Sequence, residues 1–504
     1  MDTRRTCYVM QDDLFYHTLT VKEHLLFQAQ LRMDPDANHA ARVADVLALM
    51  GLSDCQDCYI GNAATRGISG GERKRLSLAS ELLTNPSILF VDEPTSGLDS
   101  VTAESVVQEL QQLAARGHTV LATMHQPSSQ IFRRFDALYL LSHGQLVYAG
   151  QAAAAVDYFG SIGVHCPAYM NPADFFMQEI ARVDHLAHLV ASWRAVATSG
   201  SPTPTNMTAL DAPSRPAPHR RAGLYQWSVL CRRNLRRLVR DTAAFKARLA
   251  QSVVLALLSG LIYRNLSLSQ TGIQSFAGAL FFITLNQGML AATSEFVQIP
   301  LELPLLRREV SAGLYAPTTW YLAKNVSELW TQVLFPLLFV VPVFFLIGFD
   351  AHVEEPASVL WTMSLFLSLV TSACVGLGYV ISCAVPRPDV APMVGIVALM
   401  PLVLFGGLLV NANDTPGYFV WLEYLSPIQY GYRGLNRAFW TAVPHIPCAT
   451  GQRCAALSGA DVLENAALDG HSLQYDVGLL LAINVGFRCL GLLALRLSLR
   501  NRRH

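Results

Sequence analysis

Charge is what this chain has little of. Only 15% of its 504 residues are Asp, Glu, Lys or Arg, against roughly 25% in an ordinary soluble domain. At the same time 52% are hydrophobic and mean hydropathy is +0.31. That composition excludes a wholly soluble globule, a disordered chain and a collagen-like repeat. Lys+Arg and Asp+Glu both number 37, so no net charge points to nucleic acid. Cysteine is sparse too. Ten, spread over the whole length, do not make a disulfide scaffold, and Cys7, Cys55, Cys58, Cys166 and Cys231 in the less apolar half read as reduced thiols. Cys55 and Cys58 have C-x-x-C spacing but lack the second pair or flanking histidines that would complete a zinc set. The first residues, MDTRRTCYVMQDDLFYH, contain no apolar core, so no cleavable signal peptide is expected and insertion falls to internal segments.

Apolar density is ordinary over residues 1–198, high from about 242 to 410, and high again near the C-terminus. The first stretch alternates short apolar runs, helical patterns and turn residues, as a parallel α/β domain does. Ile88-Leu89-Phe90-Val91 and Thr119-Val120-Leu121-Ala122-Thr123-Met124 are continuous runs suited to strands buried on both faces. Val106, Leu110 and Leu113 recur at helical spacing between them, which predicts one right-handed crossover unit. Leu138–Leu141, the turn Ser142-His143-Gly144-Gln145 and Leu146–Tyr148 read as a closing hairpin. Residues 199–219 are rich in Ser, Thr and Pro, marking a flexible linker. Over 220–241, Leu224, Trp227, Cys231, Leu235 and Leu238 line one face of a helix, and Arg232, Arg233, Arg236, Arg237 and Arg240 decorate the rest. That basic amphipathic helix is expected along a membrane surface; a nucleic-acid arm is disfavoured by the span that follows at once.

A bilayer core takes about 20 mainly apolar residues per helix. Six windows qualify within 242–504: about 245–264, 276–297, 326–349, 357–383, 390–410 and 476–498. Arg307 and Arg308 follow the second, and Arg500, Arg502 and Arg503 follow the sixth, so positive-inside counting puts both termini in the cytoplasm. The segment 411–475 is then extracellular. It holds Cys448 and Cys454, the cysteines on the oxidising side, where a local disulfide is expected. Asn413-Asp414-Thr415 is a glycosylation sequon on the same side, as is Asn265-Leu266-Ser267 close to the membrane.

Ser69-Gly70-Gly71-Glu72 opens a helix expected to run to about Thr84, before Asn85-Pro86. Ser69 and Glu72 have capping-box spacing, and the two glycines let a phosphate approach the N–H groups of the positive helix end; a purely structural cap is the alternative. The strand Ile88–Val91 runs into Asp92-Glu93, two acids at the carboxyl edge of a parallel sheet, where ligands bind. Asp92 is placed to hold Mg²⁺ through water, and Glu93 to polarise an attacking water. Asp99, in Ser96-Gly97-Leu98-Asp99, can meet a neighbouring subunit. His125 follows the next strand and can sense a terminal phosphate. Gln11, after the short strand Cys7–Met10, suits Mg²⁺ or water.

Gln11, SGGE at 69–72, the acid pair 92–93, SGLD at 96–99 and His125 in HQPS resemble the Q-loop, signature, Walker B, D-loop and switch histidine of an ATP-binding cassette domain. SGGERKR, the order of domains and the six spans are similar to the G subfamily of half-transporters. QDDLF at 11–15, EHLLFQA at 23–29, NPADF at 171–175 and LLVNA at 408–412 resemble its white-type insect branch, associated with eye-pigment precursors. The likeness covers nearly the whole chain. It implies an incomplete α/β nucleotide-binding domain followed by an all-α six-helix transmembrane domain. It also implies ATP and Mg²⁺ as cofactors, a second G-subfamily half-transporter as partner, small-molecule cargo and contact with membrane lipid. The implied location is a plasma or vesicle membrane, with the nucleotide-binding domain in the cytosol and no nucleic-acid partner.

One motif departs from the family. No G-x-x-x-x-G-K-[ST] occurs in these 504 residues. In the family that loop and the first strands precede the position of Gln11, and each ATP lies between the phosphate loop of one subunit and the signature of the other. The expectation is a truncated chain that holds nucleotide poorly alone and lends Ser69, Gly70, Gly71 and Glu72 to partner-bound ATP. Two functions follow: one half of an ATP-driven transporter, or a non-transporting regulatory subunit.

In the membrane half, Leu305-Leu306-Arg307-Arg308-Glu309 resembles the family's loop between second and third spans that couples the two domains; an ordinary surface anchor is the alternative. Asn286 and Gln287 are polar groups at membrane depth, candidates for the substrate path or for interhelical hydrogen bonds. Leu408 and Leu409 resemble an apolar plug below the exit. Arg488, inside the last span, needs a partner, and Glu328 is expected to supply it.

Overall fold

A computed structural model describes residues 6–62, 65–199, 223–385, 387–410, 416–448 and 454–500. The chain divides into two units, Met1–Ala222 and Gly223–His504. The expected linker 199–219 lies, apart from Ser199, outside the described residues.

In the first unit, β1 (Thr6–Val9), β2 (Ile88–Val91) and β3 (Thr119–Ala122) form a parallel sheet in that order. Val9 faces Val91 and Val91 faces Ala122, so all three strands end level. Helix Ser100–Ala115 makes the crossover from β2 to β3, burying Val106, Leu110 and Leu113 as their spacing required. The expectation of two buried strands holds for β2, where Leu89 and Val91 are buried, and fails for β3, where Thr119, Leu121 and Ala122 are exposed. The reason is position: β3 is at the edge of the sheet among the described residues, and hydrophobicity alone does not distinguish an edge from a centre. A separate hairpin pairs β4 (Ala137–Ser142) with β5 (Gln145–Gln151) through His143 and Gly144. Both turn residues have positive φ (48° and 74°), the mirror-image turn whose twist matches the flanking strands. A core of Phe132, Val147, Phe159, Phe175 and Phe176 packs beneath it.

The second unit begins with helix Gly223–Arg240 and continues with Thr242–Ile262, Gly272–Ser311, Pro317–Ile347 and Pro356–Ala384. The sequence then runs through the shorter Ala391–Leu404 and ends with Leu473–Arg500. Among the described residues five helices are long and apolar enough to cross a membrane, where six windows were expected. The window 390–410 holds a helix of only 14 residues, roughly 21 Å at 1.5 Å per residue, against a hydrocarbon core of about 30 Å. It ends at Leu404 with Phe405 as its cap, and Gly407 turns to φ +95° just beyond. The second span is also longer than its apolar window, 40 residues including Pro300 and Pro304. The expected coupling loop Leu305–Glu309 is therefore the last turns of that helix, held by the ion pairs below.

Two arginines of the amphipathic helix do not belong to its outer polar face. Arg233 pairs with Glu309 at 2.8 Å, both 2% exposed, and Arg237 pairs with Glu302 at 2.8 Å. Glu302 also meets Lys324 at 2.8 Å. Carboxylates from the second span thus draw these cations inward. Within the segment 411–475, helix Pro427–Trp440 lies against the span Pro356–Ala384, and its glycines permit the approach: a Cβ at Gly434 would sit 2.3 Å from the ring of buried Phe366. Gly434→Val is therefore expected to overpack this contact by about 1–3 kcal/mol, lowering the thermal midpoint of the detergent-solubilised protein; an unchanged midpoint would disprove the close packing.

Candidate functional site

The level ends of the three strands bring three loops together. Asp92 N–H donates to Val9 O at 2.9 Å and Thr123 N–H to Val91 O at 3.0 Å, so the ladder continues one step past the strands. At that step the Thr123 hydroxyl accepts from Glu93 N–H (2.9 Å) and donates to Asp92 Oδ1 (2.6 Å). Tyr8 Oη donates to Asp92 Oδ2 at 2.8 Å, and Gln11 Nε2 donates to Glu93 Oε2 at 2.6 Å. Gln11, Asp92 and Glu93 are thereby gathered at one edge. Glu93 has φ +41°, a conformation costly for a side chain of this type and common at functional sites. The Thr123 hydroxyl, then that of Tyr8, holds the Asp92 carboxyl below its usual range, and the same contact raises Tyr8.

Helix Gly70–Leu82 starts with the expected capping box: Glu72 N–H donates to Ser69 Oγ at 3.3 Å, and Ser69 N–H donates to Glu72 Oε2 at 2.7 Å. These bonds, the backbone one first, hold Glu72 below the ordinary carboxyl range. The two glycines differ. Gly70 is exposed, with a first-turn N–H that has no intrahelical acceptor. Gly71 is buried, and a Cβ there would lie 2.2 Å from Thr102 Cγ2. Its smallness serves packing against the next helix rather than the approach of a ligand, which corrects the paired role expected for it. Asp99, expected to reach a neighbour, caps that next helix, accepting from Val101 N–H at 3.1 Å, Thr102 N–H at 3.0 Å and Thr102 Oγ1 at 2.6 Å. The Thr102 hydroxyl is the main cause of its lowered pKa.

Lys74, Thr123 and Tyr8 were not singled out by sequence. Lys74 is 2% exposed; its Nζ donates to Gln11 O at 2.9 Å and lies 3.4 Å from Asp13 Oδ1, tying the capped helix to the Gln11 loop. Polar residues closing apolar runs are the one signal that could have pointed to Thr123. His125 is exposed beyond β3, and among the described residues no hydrogen bond joins it to either cluster. No group of three or more His, Cys, Asp or Glu able to hold a metal occurs among the described residues. Asp92 with Gln11 instead fits a hydrated Mg²⁺ that keeps waters and phosphate oxygens as most of its ligands.

In the second unit, Gln287 is buried and Asn286 half-buried on helix Gly272–Ser311, and Asn286 Nδ2 and Gln287 Nε2 have no hydrogen-bond partner among the described residues. Leu408 and Leu409 are exposed in the bend after Ala391–Leu404. Cys448 and Cys454 are disulfide-bonded with Cα atoms 6.1 Å apart. Asn413 lies outside the described residues. Arg488 does not pair with Glu328. It donates to Gln332 Oε1 (3.2 Å), Ser372 Oγ (3.1 Å) and Asn484, whereas Glu328 is taken by Lys324 at 2.9 Å one turn earlier on its own helix.

Comparison with known proteins identifies the family. Residues 2–96 match the family model for ABC transporters, and residues 125–196 and 225–440 match two models of ABC-2 type transporters. The chain is 36% identical to Protein white of Drosophila melanogaster over 99% of its own length and 75% of that protein. It is 31% identical to the ABC transporter ATP-binding protein/permease wht-1 of Caenorhabditis elegans, covering 97% and 78% respectively. To the Broad substrate specificity ATP-binding cassette transporter ABCG2 of Sus scrofa it is 32% identical, covering 92% and 76%.

The Thr123 contact generates a pH prediction. A depressed Asp92 adds stability above the unfolded carboxyl value of about 3.9, and that stability is lost as pH falls through the lower folded value. Thr123→Val removes the main cause, so its thermal midpoint should fall less steeply with acidification below about pH 4 than that of wild type or Thr123→Ser. Parallel acid limbs would refute the assignment.

Proposed function

Since the chain belongs to the ABCG-type half-transporters of the ATP-binding cassette family, we propose that it is one half of a dimeric pump that couples ATP hydrolysis to movement of small molecules across a membrane. The observation that carries this reading is the meeting of Gln11, Asp92 and Glu93 at the sheet edge, with Gln11 hydrogen-bonded to Glu93 at 2.6 Å. When bound, ATP with Mg²⁺ supplies the transferable phosphoryl group. Asp92 is the residue that would hold the metal, through water, with Gln11 beside it. Glu93, kept in reach by Gln11 and by its own N–H on Thr123, orients and polarises the attacking water. His125 contacts the terminal phosphate from the end of the neighbouring strand. Ser69 and the Gly70 N–H group, at the positive helix end, stabilise phosphate held by the phosphate loop of a partner half-transporter, and Asp99 orders the adjoining turn facing that partner.

The cargo path runs between two membrane units past the unpartnered amides of Asn286 and Gln287, with Leu408 and Leu409 toward the exit. A mostly apolar lining with few polar groups suits flat aromatic or lipid-like molecules, pigment precursors among them. Both termini face the cytosol, and the segment carrying the Cys448–Cys454 disulfide and the Asn413 sequon faces the opposite side.

Co-reconstitution with an intact G-subfamily partner is expected to give ATP-dependent flux. Ser69→Ala in this chain, which removes a donor to partner-bound phosphate, should reduce partner-dependent turnover about 10²- to 10³-fold, whereas Glu93→Gln, in the half-site for which these residues supply no phosphate loop, should change it little. Absence of flux in the presence of both subunits would favour the regulatory-subunit reading.

A further inference from the structure

We propose that Cys55 and Cys58 form a redox-active dithiol, closing to an intramolecular disulfide by exchange with a small-molecule disulfide of the glutathione type, directly against the capped helix of the signature. Both thiols are free in this structure. Cys58 N–H donates to Cys55 O at 3.0 Å, closing a turn; the ends of such a turn lie within about 7 Å, and a disulfide needs Cα atoms about 4.4–6.8 Å apart. The turn is held in shape independently of any cross-link. Val21 N–H donates to Cys58 O at 3.1 Å, Lys22 N–H to Gln56 O at 2.8 Å and Ile60 N–H to Leu19 O at 3.0 Å. Closure therefore requires little backbone movement.

The two sulfurs are unequal, which assigns their order of reaction. Cys58 is exposed, whereas Cys55 is buried, its thiol donating to Leu52 O at 3.5 Å and lying beside the Glu72 carboxylate. Burial first, then the Glu72 charge, pushes the Cys55 thiol up to about 11. Cys58 is thus the attacking sulfur and Cys55 the resolving one. The Cys58 thiolate attacks one sulfur of R–S–S–R, forming Cys58–S–S–R and releasing one thiolate RS⁻. Cys55, giving its proton to water, attacks the Cys58 sulfur and releases the second RS⁻. The protein loses two electrons and two protons, and the small disulfide is reduced to two thiols. Closure also converts the Cys55 sulfur, which lies beside the Glu72 carboxylate, from thiol to disulfide, so the state of the pair reaches the Ser69–Glu72 cap.

The test uses the full chain in detergent or nanodiscs, treated with oxidised glutathione, alkylated and analysed by peptide mass spectrometry. The expected result is loss of two alkylatable thiols and a peptide spanning 55–58 that is two hydrogens lighter, reversed by dithiothreitol. Cys55→Ser should stop at a glutathione adduct on Cys58, and Cys58→Ser, a change at an exposed site, should leave Cys55 reduced. Amide hydrogen exchange over 69–75 should quicken on oxidation of wild type and not of Cys58→Ser. An adduct persisting on wild-type Cys58, a bond from Cys55 to any other cysteine, unchanged alkylation or unaltered exchange at the cap would overturn the proposal.

Discussion

The level register of three parallel strands is the constraint on which the nucleotide unit depends. Because Val9, Val91 and Ala122 end side by side, the residues that follow must converge, and the first polar groups past the sheet are Asp92, Glu93 and Thr123. A slip of one residue would carry each side chain of the slipped strand to the opposite face of the sheet. Thr123 then does what neither acid can do for itself. Its hydroxyl accepts from the Glu93 N–H and donates to the Asp92 carboxylate, so that one side chain holds two adjacent acids by different atoms. Glu93 is held in a left-handed conformation at φ +41° that local preference alone would not choose.

Helix Gly70–Leu82 is joined to this edge by Lys74, whose buried ammonium on Gln11 O makes the Ser69–Glu72 cap and the Gln11 loop one piece. The same logic recurs in the second unit. Arg233 with Glu309, Arg237 with Glu302, and Lys324 with both Glu302 and Glu328 bind three helices through charges that are almost fully buried. Such pairs add little net stability over apolar equivalents, yet losing one member leaves an uncompensated charge at a cost of about 3–5 kcal/mol. They set the mutual position of the helices more than their affinity. Arg488 is served differently, by the neutral acceptors Gln332, Ser372 and Asn484, which solvate a cation at membrane depth without a direct ion pair.

Legibility followed the range of the interaction. The capping box Ser69–Glu72, the crossover helix, the His143-Gly144 turn and the long spans are local patterns, each set by residues a few positions apart, and each was readable. Most failures share one cause. Whether β3 is a central or an edge strand, whether Gly71 faces a ligand or Thr102, and which arginines of Gly223–Arg240 turn inward are decided by partners tens of positions away; Glu328 is the exception, taken by Lys324 four positions earlier on its own helix. The length of the fifth apolar helix was misread for a different reason, since the apolar run continues past Leu404, where the helix ends.

By itself the sequence determined which residues carry charge, hydroxyl and amide groups, where helices are capped, and that a polar half precedes an apolar one, because these depend on composition and short-range periodicity. Only the tertiary structure decided how those groups are shared: Thr123 between two acids, Lys74 between two loops, Glu302 between Arg237 and Lys324. A hydrogen bond or a buried ion pair is a contest among all groups brought within about 3 Å, and the winners exist only once the chain has been packed.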